Sequence, residues 1–219
     1  MTERATEIVL RHLSQDEFRA RTGELLEIYV AAMRYPKGTA QARAALWLEH
    51  SNRPGFDCVV ALDDPPAGSG YGAGTLRGLA YGYRGLPGQW WHNEVRRGLS
   101  VTPRQGETAP PSSQAAADRT GWLDHYVELT ELHVRPDSQG GGLGEAMLRA
   151  LVADRAERMV LLSTPEGSNR AWRLYRRLGF ADVLRDFRFA GDPRPFAVLG
   201  RPLPLGPPHI DDAAGPTDR

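Results

Sequence analysis

The segment Val134-Arg135-Pro136-Asp137-Ser138-Gln139-Gly140-Gly141-Gly142-Leu143-Gly144-Glu145 holds the residue types and spacing that speak most directly of chemistry. Three consecutive glycines open backbone conformations that other residues avoid. The segment lies between a stretch that reads as a strand and a stretch that reads as a helix. The free N–H groups of the first helical turn would converge on one point, reinforced by the helix dipole, and so form an anion site. A pyrophosphate is the natural occupant. Other glycine-rich turns fit less well. A P-loop needs Gly-Lys followed by Ser or Thr, which is missing here. A dinucleotide fingerprint belongs to the first strand–helix unit of a repeating sheet, with an acid about 20 residues further on. This segment comes two-thirds along the chain, and Asp154 is nearer and lies mid-helix. A plain tight turn would need one glycine rather than three.

The remaining composition narrows the classes. In 219 residues there are 27 Lys+Arg and 27 Asp+Glu, a formal net charge of zero. That balance argues against a nucleic-acid binder, which carries a basic excess, and against a charged disordered tail. Cys58 is the single cysteine. It supports neither an internal disulfide nor a cysteine-based zinc site, and in Phe56-Asp57-Cys58-Val59-Val60-Ala61-Leu62 it reads as a small core residue. No metal site is expected. No signal peptide and no apolar run of roughly 20 residues is visible, so a reduced, cytoplasmic protein without membrane contact is expected.

These residues need elements to position them. Ile8–His12 reads as a short strand. Ser14 and Glu17 form a capping-box pattern, and a helix carrying Phe18, Leu25, Leu26, Tyr29 and Met33 follows up to Pro36. A second helix covers about Ala40–His50. Phe56–Leu62 and Leu76–Tyr83 read as a hairpin of strands, and Gly88–Arg97 as helical. Tyr126–Val134 is a strand, Pro136–Gly142 a turn and Gly142–Arg158 a helix with the stripe Leu143, Met147, Leu148, Leu151, Val152. Met159–Ser163 is a strand, and Asn169–Leu178 a helix ended by Gly179. Phe180–Phe189 and Phe196–Arg201 close as an antiparallel pair. The fold class is α/β: a mixed sheet flanked by helices. Residues 99–122 and 202–219 hold most of the low-complexity sequence and eight of the 17 prolines. They read as a mobile insertion and a loose tail on a single domain of residues 1–201.

Gln139-x-x-Gly142-x-Gly144, preceded by Leu132-His133-Val134-Arg135-Pro136, resembles the acyl-CoA motif of the GNAT superfamily of N-acyltransferases. Asn169-Arg170-Ala171-Trp172-Arg173-Leu174-Tyr175-Arg176-Arg177-Leu178-Gly179-Phe180 resembles that superfamily's second signature helix, with Ala171 one position earlier than its commonest place. The two motifs stand in the family's order, separated by one helix and one strand. The close match spans about residues 128–189.

The resemblance implies a mostly antiparallel sheet in which one parallel pair splays to admit acetyl-CoA as co-substrate. It implies that Leu132, His133 and Val134 offer backbone groups to the pantetheine arm. Gln139, Gly140, Gly141, Gly142, Leu143, Gly144 and the Glu145 amide would hold the pyrophosphate, and Asn169 would hydrogen-bond the same ligand. Tyr175 would protonate the leaving thiolate, since expelling a thiolate benefits from a nearby O–H as general acid. The implied activity is acetyl transfer to a primary amine, of a small molecule or a protein, by direct attack in a ternary complex. A non-catalytic acyl-CoA sensor of the same fold is the rival, and a monomer or homodimer the expected assembly.

A protonated amine cannot attack, so a base is expected. Glu128 lies eleven residues before Gln139, where some family members carry their base. Glu131 falls on the opposite face by simple alternation, and comes nearer if the strand contains a bulge. Water or another group is the third choice, with His125 and His133 lesser candidates. For the acceptor, Trp90, Trp91 and His92 with Tyr81 and Tyr83 read as one aromatic cluster, either a clamp or a packing plug. Charge by segment adds one feature: residues 165–190 carry Arg170, Arg173, Arg176, Arg177, Arg185 and Arg188 against Glu166, Asp182 and Asp186, a local basic excess in the half expected to receive an anionic cofactor.

Overall fold

Central strands buried on both faces, an edge strand (Ile8–Leu13) that alternates, and apolar stripes along the helices assemble a seven-stranded sheet with helices on both faces. A computed structural model provides the structure, which describes residues 8–36, 38–63, 74–101 and 120–206. The chain runs β1 (Ile8–Leu13), α1 (Gln15–Ala20), α2 (Thr22–Met33), α3 (Thr39–His50), β2 (Asp57–Asp63), β3 (Leu76–Arg84), α4 (Trp90–Val101) and β4 (Tyr126–Val134). It continues through α5 (Leu143–Val152), β5 (Met159–Pro165), α6 (Arg170–Arg177), β6 (Ala181–Phe187) and β7 (Phe196–Pro202).

Local chemistry sets the element ends. The Ser14 backbone N–H donates to the Glu17 carboxylate at 2.8 Å and the Glu17 N–H donates to Ser14 Oγ at 3.2 Å, the expected capping box. The expected single helix behind it is two helices. The chain breaks at Arg21, where the backbone leaves helical geometry (φ −102°, ψ 7°) and the Thr22 hydroxyl turns back onto the Phe18 carbonyl at 2.9 Å. The helix expected over Gly142–Arg158 ends early, at Val152. Glu157 is buried against Arg84 at 2.9 Å, and the Arg155 guanidinium donates to the Gly55 carbonyl at 2.5 Å. Those anchors pull the chain off the helix axis before it enters β5.

The strand order is β1-β2-β3-β4-β5-β7-β6, and every pairing is antiparallel except β4 with β5. That parallel ladder is short. It joins Tyr126 to Met159, Val127 to Val160 and Glu128 to Leu161, and then stops, although β4 continues to Val134 and β5 to Pro165. Beyond Glu128 the two strands diverge, as the family resemblance implied.

Apolar packing holds the sheet from both sides. On one face Val59, Ala80, Val127, Leu129 and Val160 pack with Met147, Leu148 and Leu151 of α5 and Tyr175 of α6. On the other, Val60, Leu79 and Tyr81 pack with Phe18, Leu25, Leu26 and Trp47 of the first three helices, and α4 covers Tyr126, Leu161, Leu184 and Val198. Complete burial of Phe18 alone contributes roughly 1.5–3 kcal/mol. Of the expected insertion, residues 102–119 lie outside the described residues. At its edges, Leu99 is buried within α4 and Gly121–Leu123 forms a 3₁₀ turn. In the expected tail, Pro202 pairs with Met159 and Leu203 and Leu205 pack on the core, while residues 207–219 lie outside the description.

Candidate active site

The glycine segment forms the mouth of the divergence. A 3₁₀ turn, Pro136–Ser138, leads into Gly140 at φ +102° and Gly142 at φ +79°. Both values belong to the left-handed region that glycine enters without strain. Gly142 is the N-cap of α5 and brings no side chain to cap it. The first intrahelical bond runs from the Ala146 N–H to the Gly142 carbonyl at 3.0 Å. The amides of Leu143, Gly144 and Glu145 therefore have no helical partner and point outward at the positive end of the helix. A Cβ placed on Gly141 or Gly142 would meet nothing within 4 Å, so the space before these amides is open. The residues present fit a pyrophosphate. Gln139 folds back instead, its amide donating to the Val134 carbonyl at 3.0 Å and tying the turn to the end of β4.

The charge around the turn favours an anion. Glu145 sits in the first turn of α5, but Arg177 at 2.8 Å and Arg149 at 2.9 Å neutralise it and hold its carboxyl below the usual range. The Arg170 guanidinium lies 3.7 Å from where a Gly140 Cβ would be. Sequence reading registered Arg170 only within the basic excess of residues 165–190; its approach to the glycine turn comes from α6 packing beside α5. Asn169 is the N-cap of α6, its side-chain carbonyl accepting from the Trp172 N–H at 2.8 Å. Its amide nitrogen donates to the Pro165 carbonyl at 3.3 Å, which ties α6 to the end of β5.

A bulge between β3 and β4 sets the other half of the site. Tyr83 pairs with Glu128 and Gly82 with Leu129, but Tyr81 pairs with Glu131, leaving Thr130 as the extra residue. One extra residue inverts the alternation that follows. Glu128, Glu131 and His133 thus share the face of Tyr83, Tyr81 and Leu79: simple alternation would turn Glu131 the other way, and the bulge, the alternative the sequence left open, brings it to this face. His133 Nε2 and Glu131 Oε2 are 2.5 Å apart, and the His133 ring meets Tyr29 of α2 edge-on at 5.1 Å. Leu132 and Val134 face the α5 side and pack on its core, while their backbones follow the diverging edge.

Glu128 is 4 % exposed. The Tyr83 hydroxyl donates to its Oε1 at 3.0 Å, and Oε2 is buried without a partner among the described residues. Burial pushes the carboxyl up to about 7, against the Tyr83 hydrogen bond and the Arg53 charge, which hold it down. Arg53 donates to the Tyr83 hydroxyl at 2.6 Å. His50 Nδ1 lies 3.0 Å from the Tyr81 hydroxyl, and burial pushes that imidazole down to about 4, so it is neutral at ordinary pH. Arg53 and His50 were missed in the sequence because a turn and a helix end from a distant segment carry no local signal of what they will touch. The alternation of Tyr81 and Tyr83 on one strand signalled only that their hydroxyls share a face.

Tyr175 is 6 % exposed on α6, packed on Phe180 at 5.4 Å. Burial and the Glu131 charge raise its phenol, so it stays protonated at any working pH. The aromatic cluster expected from Tyr81, Tyr83, Trp90, Trp91 and His92 divides in two. Tyr81 and Tyr83 pack with Phe18, Trp47 and His50, whereas α4 sits over the β5 side of the sheet. There Trp91 donates to Ser163 Oγ at 3.1 Å and His92 lies 3.3 Å from the Tyr126 hydroxyl, on the Glu128 face. Trp90 is 55 % exposed and rests on Phe189 at 5.5 Å, at the rim of the cluster that holds Trp91. His125 adopts a positive φ of 59° at the far end of β4, remote from the divergence.

A family model described as an acetyltransferase (GNAT) domain matches residues 113–182. A GCN5-like protein acetyltransferase of Mycobacterium tuberculosis is 48 % identical over 214 residues, spanning 90 % of this chain and 99 % of that relative. The chain belongs to the GNAT acetyltransferase family. Solved structures share the fold at low identity. An acetyltransferase from Thermus thermophilus aligns with a TM-score of 0.54 at 14 % identity, over 90 % of this chain and 97 % of its own. The yncA protein of Salmonella typhimurium, solved with its cofactor acetyl-CoA, aligns with a TM-score of 0.53 at 16 % identity, over 97 % and 99 % of the two chains. The protein is therefore an enzyme of the GNAT N-acetyltransferase type, a family that uses acetyl-CoA. Among the described residues, no helix is long and apolar enough to cross a membrane.

Proposed function

We propose that this GNAT enzyme transfers acetyl from acetyl-CoA directly to a primary amine presented by a protein. The observation that carries the reading is Glu128, a buried carboxyl with one unpartnered oxygen on the acceptor face where β4 and β5 part. The 48 % identical relative is named a protein acetyltransferase, which favours a protein amine over a small molecule.

In this reading the amides of Leu143, Gly144 and Glu145, with Arg170, receive the pyrophosphate. The diverging edge of β4, from Leu132 to Val134, takes the pantetheine arm. Asn169 serves by capping α6 and so placing Tyr175. Glu128 takes a proton from the bound ammonium, directly or through one water. The freed amine attacks the thioester carbon, the C–S bond breaks, and Tyr175 gives its proton to the departing sulfur; the new amide nitrogen sheds its second proton, which restores the Tyr175 phenol through water. Glu131 lines the acceptor side, with the fully buried Tyr81 packed behind it. The elevated Glu128 has a quantitative consequence. Against a lysine-like amine of pKa about 10.4, a carboxyl near 7 accepts the proton at about 3 kcal/mol less cost than one at its ordinary value.

The test is calorimetry with acetyl-CoA, followed by thiol release and mass spectrometry with a panel of peptides and amines. Tyr175→Phe should lower turnover about 100-fold while leaving acetyl-CoA affinity within twofold. No binding at millimolar acetyl-CoA would sink the proposal. Binding without thiol release for any amine would favour the acyl-CoA sensor instead.

A further inference from the structure

We propose that Arg53 and Tyr83 are positioning residues that fix the Glu128 carboxyl in one orientation and reserve Oε2 as the oxygen that exchanges the proton. The inference rests on Glu128 acting as the base. The argument is one of donor direction. Arg53 Nη1 approaches the Tyr83 hydroxyl at 2.6 Å, and a guanidinium can only donate. The hydroxyl oxygen is therefore the acceptor in that bond, and its single proton is free to point to Glu128 Oε1, 3.0 Å away. The chain has one polarity, Arg53 to Tyr83 to Glu128. Oε1 is held as an acceptor, so protonation falls on Oε2, which has no partner among the described residues.

Arg53 is itself fixed. Its Nη2 bonds Glu49 Oε1 at 3.1 Å, and its guanidinium lies 4.6 Å over the Tyr83 ring. The segment holding it is the turn after α3, which packs on β3 only once the sheet is built. The other groups around this chain of donors are accounted for: the Thr130 hydroxyl lies at the Tyr83 oxygen and donates to the Glu128 backbone carbonyl at 3.4 Å. Tyr81 of β3 is engaged by His50 of α3, Tyr126 of β4 by His92 of α4, and Glu131 of β4 by His133. From β5 the neighbour is Leu161, which does not titrate. Burial and Glu131 thus oppose the carboxylate, while the Tyr83 hydrogen bond and the Arg53 charge favour it.

A positioning role and a merely structural role predict opposite signs. Losing a donor to the carboxylate raises the Glu128 midpoint. Loosening the packing admits water and lowers it towards the ordinary value. The experiment is a pH titration by NMR of the intact, ligand-free protein labelled with ¹³C at glutamate carboxyls, with the Glu128 signal identified by its loss in Glu128→Gln. Wild type should titrate near 7. Tyr83→Phe, which keeps the ring, should raise the midpoint by roughly 0.5–1 pH unit. Arg53→Gln should move it in the same direction, and Arg53→Lys, which keeps the charge, should move it less. Arg53 lies outside the apolar core, so its variants carry the test even if Tyr83→Phe folds poorly. A wild-type midpoint near 7 that stays put or falls in these variants overturns the positioning role and leaves Glu128 as the base. A wild-type midpoint near 4.5 overturns both.

Discussion

Glu128 shows how far one residue's chemistry depends on its surroundings. Its elevated carboxyl means that the folded protein binds a proton more tightly than the unfolded chain. The associated stability is fully present below about pH 4.5 and is lost as pH rises through about 7. Glu128→Gln removes that dependence. The difference in unfolding free energy between variant and wild type should therefore shift by about 1–3 kcal/mol in favour of Gln between pH 5 and pH 8. Urea titrations at the two pH values check this, and a constant difference would rule out the raised carboxyl. Arg170 gives a second prediction at this scale. If it faces the phosphates over Gly140, Arg170→Ala should weaken acetyl-CoA binding about 3–10-fold by calorimetry, and less at high salt, with turnover at saturation unchanged.

Among the elements, β4 decides most, because it is edge to the divergence and carrier of the acceptor face at once. Its bulge at Thr130 puts Glu128 and Glu131 on one side, and Gly82 of β3 makes that close approach possible. A Cβ on Gly82 would lie 2.4 Å from the Glu128 carbonyl oxygen, a backbone atom that cannot move aside cheaply. Gly82→Ala should thus force β3 from β4 at the bulge and cost about 1–3 kcal/mol in chemical denaturation. Turnover should fall further than acetyl-CoA affinity, since the glycine turn lies at the other end of β4. Equal stability in variant and wild type would show that the strand pair tolerates widening.

For the molecule as a whole, the short β4–β5 ladder leaves the gap-facing backbone groups of both strands without a sheet partner across it beyond Glu128 and Leu161, although β4 stays paired with β3 and β5 with β7. A co-substrate that fills this gap should act as an added strand and join the two halves of the sheet. At 100 times its dissociation constant it should stabilise the fold by about 2.7 kcal/mol. Hydrogen exchange with and without acetyl-CoA should slow amides that face the gap in residues 129–134 and 162–165, and those of residues 143–145. Exchange unchanged at these positions, with binding confirmed, would place the ligand elsewhere.

What the sequence determined by itself was the chemistry that local geometry controls. The glycine turn before α5, the capping box at Ser14, the Asn169 cap of α6 and the order of strands and helices depend on residues a few positions apart, and they are legible for that reason. The division of one long helix at Arg21, the early end of α5 and the parting of Trp90 and Trp91 from Tyr81 and Tyr83 were not legible, because each reflects which surface a segment finally covers. The same holds for the base. Glu128 and Glu131 are equivalent candidates in a list of residues. Strand register and a bulge place both on one face, and packing then buries Glu128 beneath Tyr83 and Arg53. A carboxyl's proton affinity is set by the dielectric and donors around it, and those arrive from segments that meet only in the folded protein.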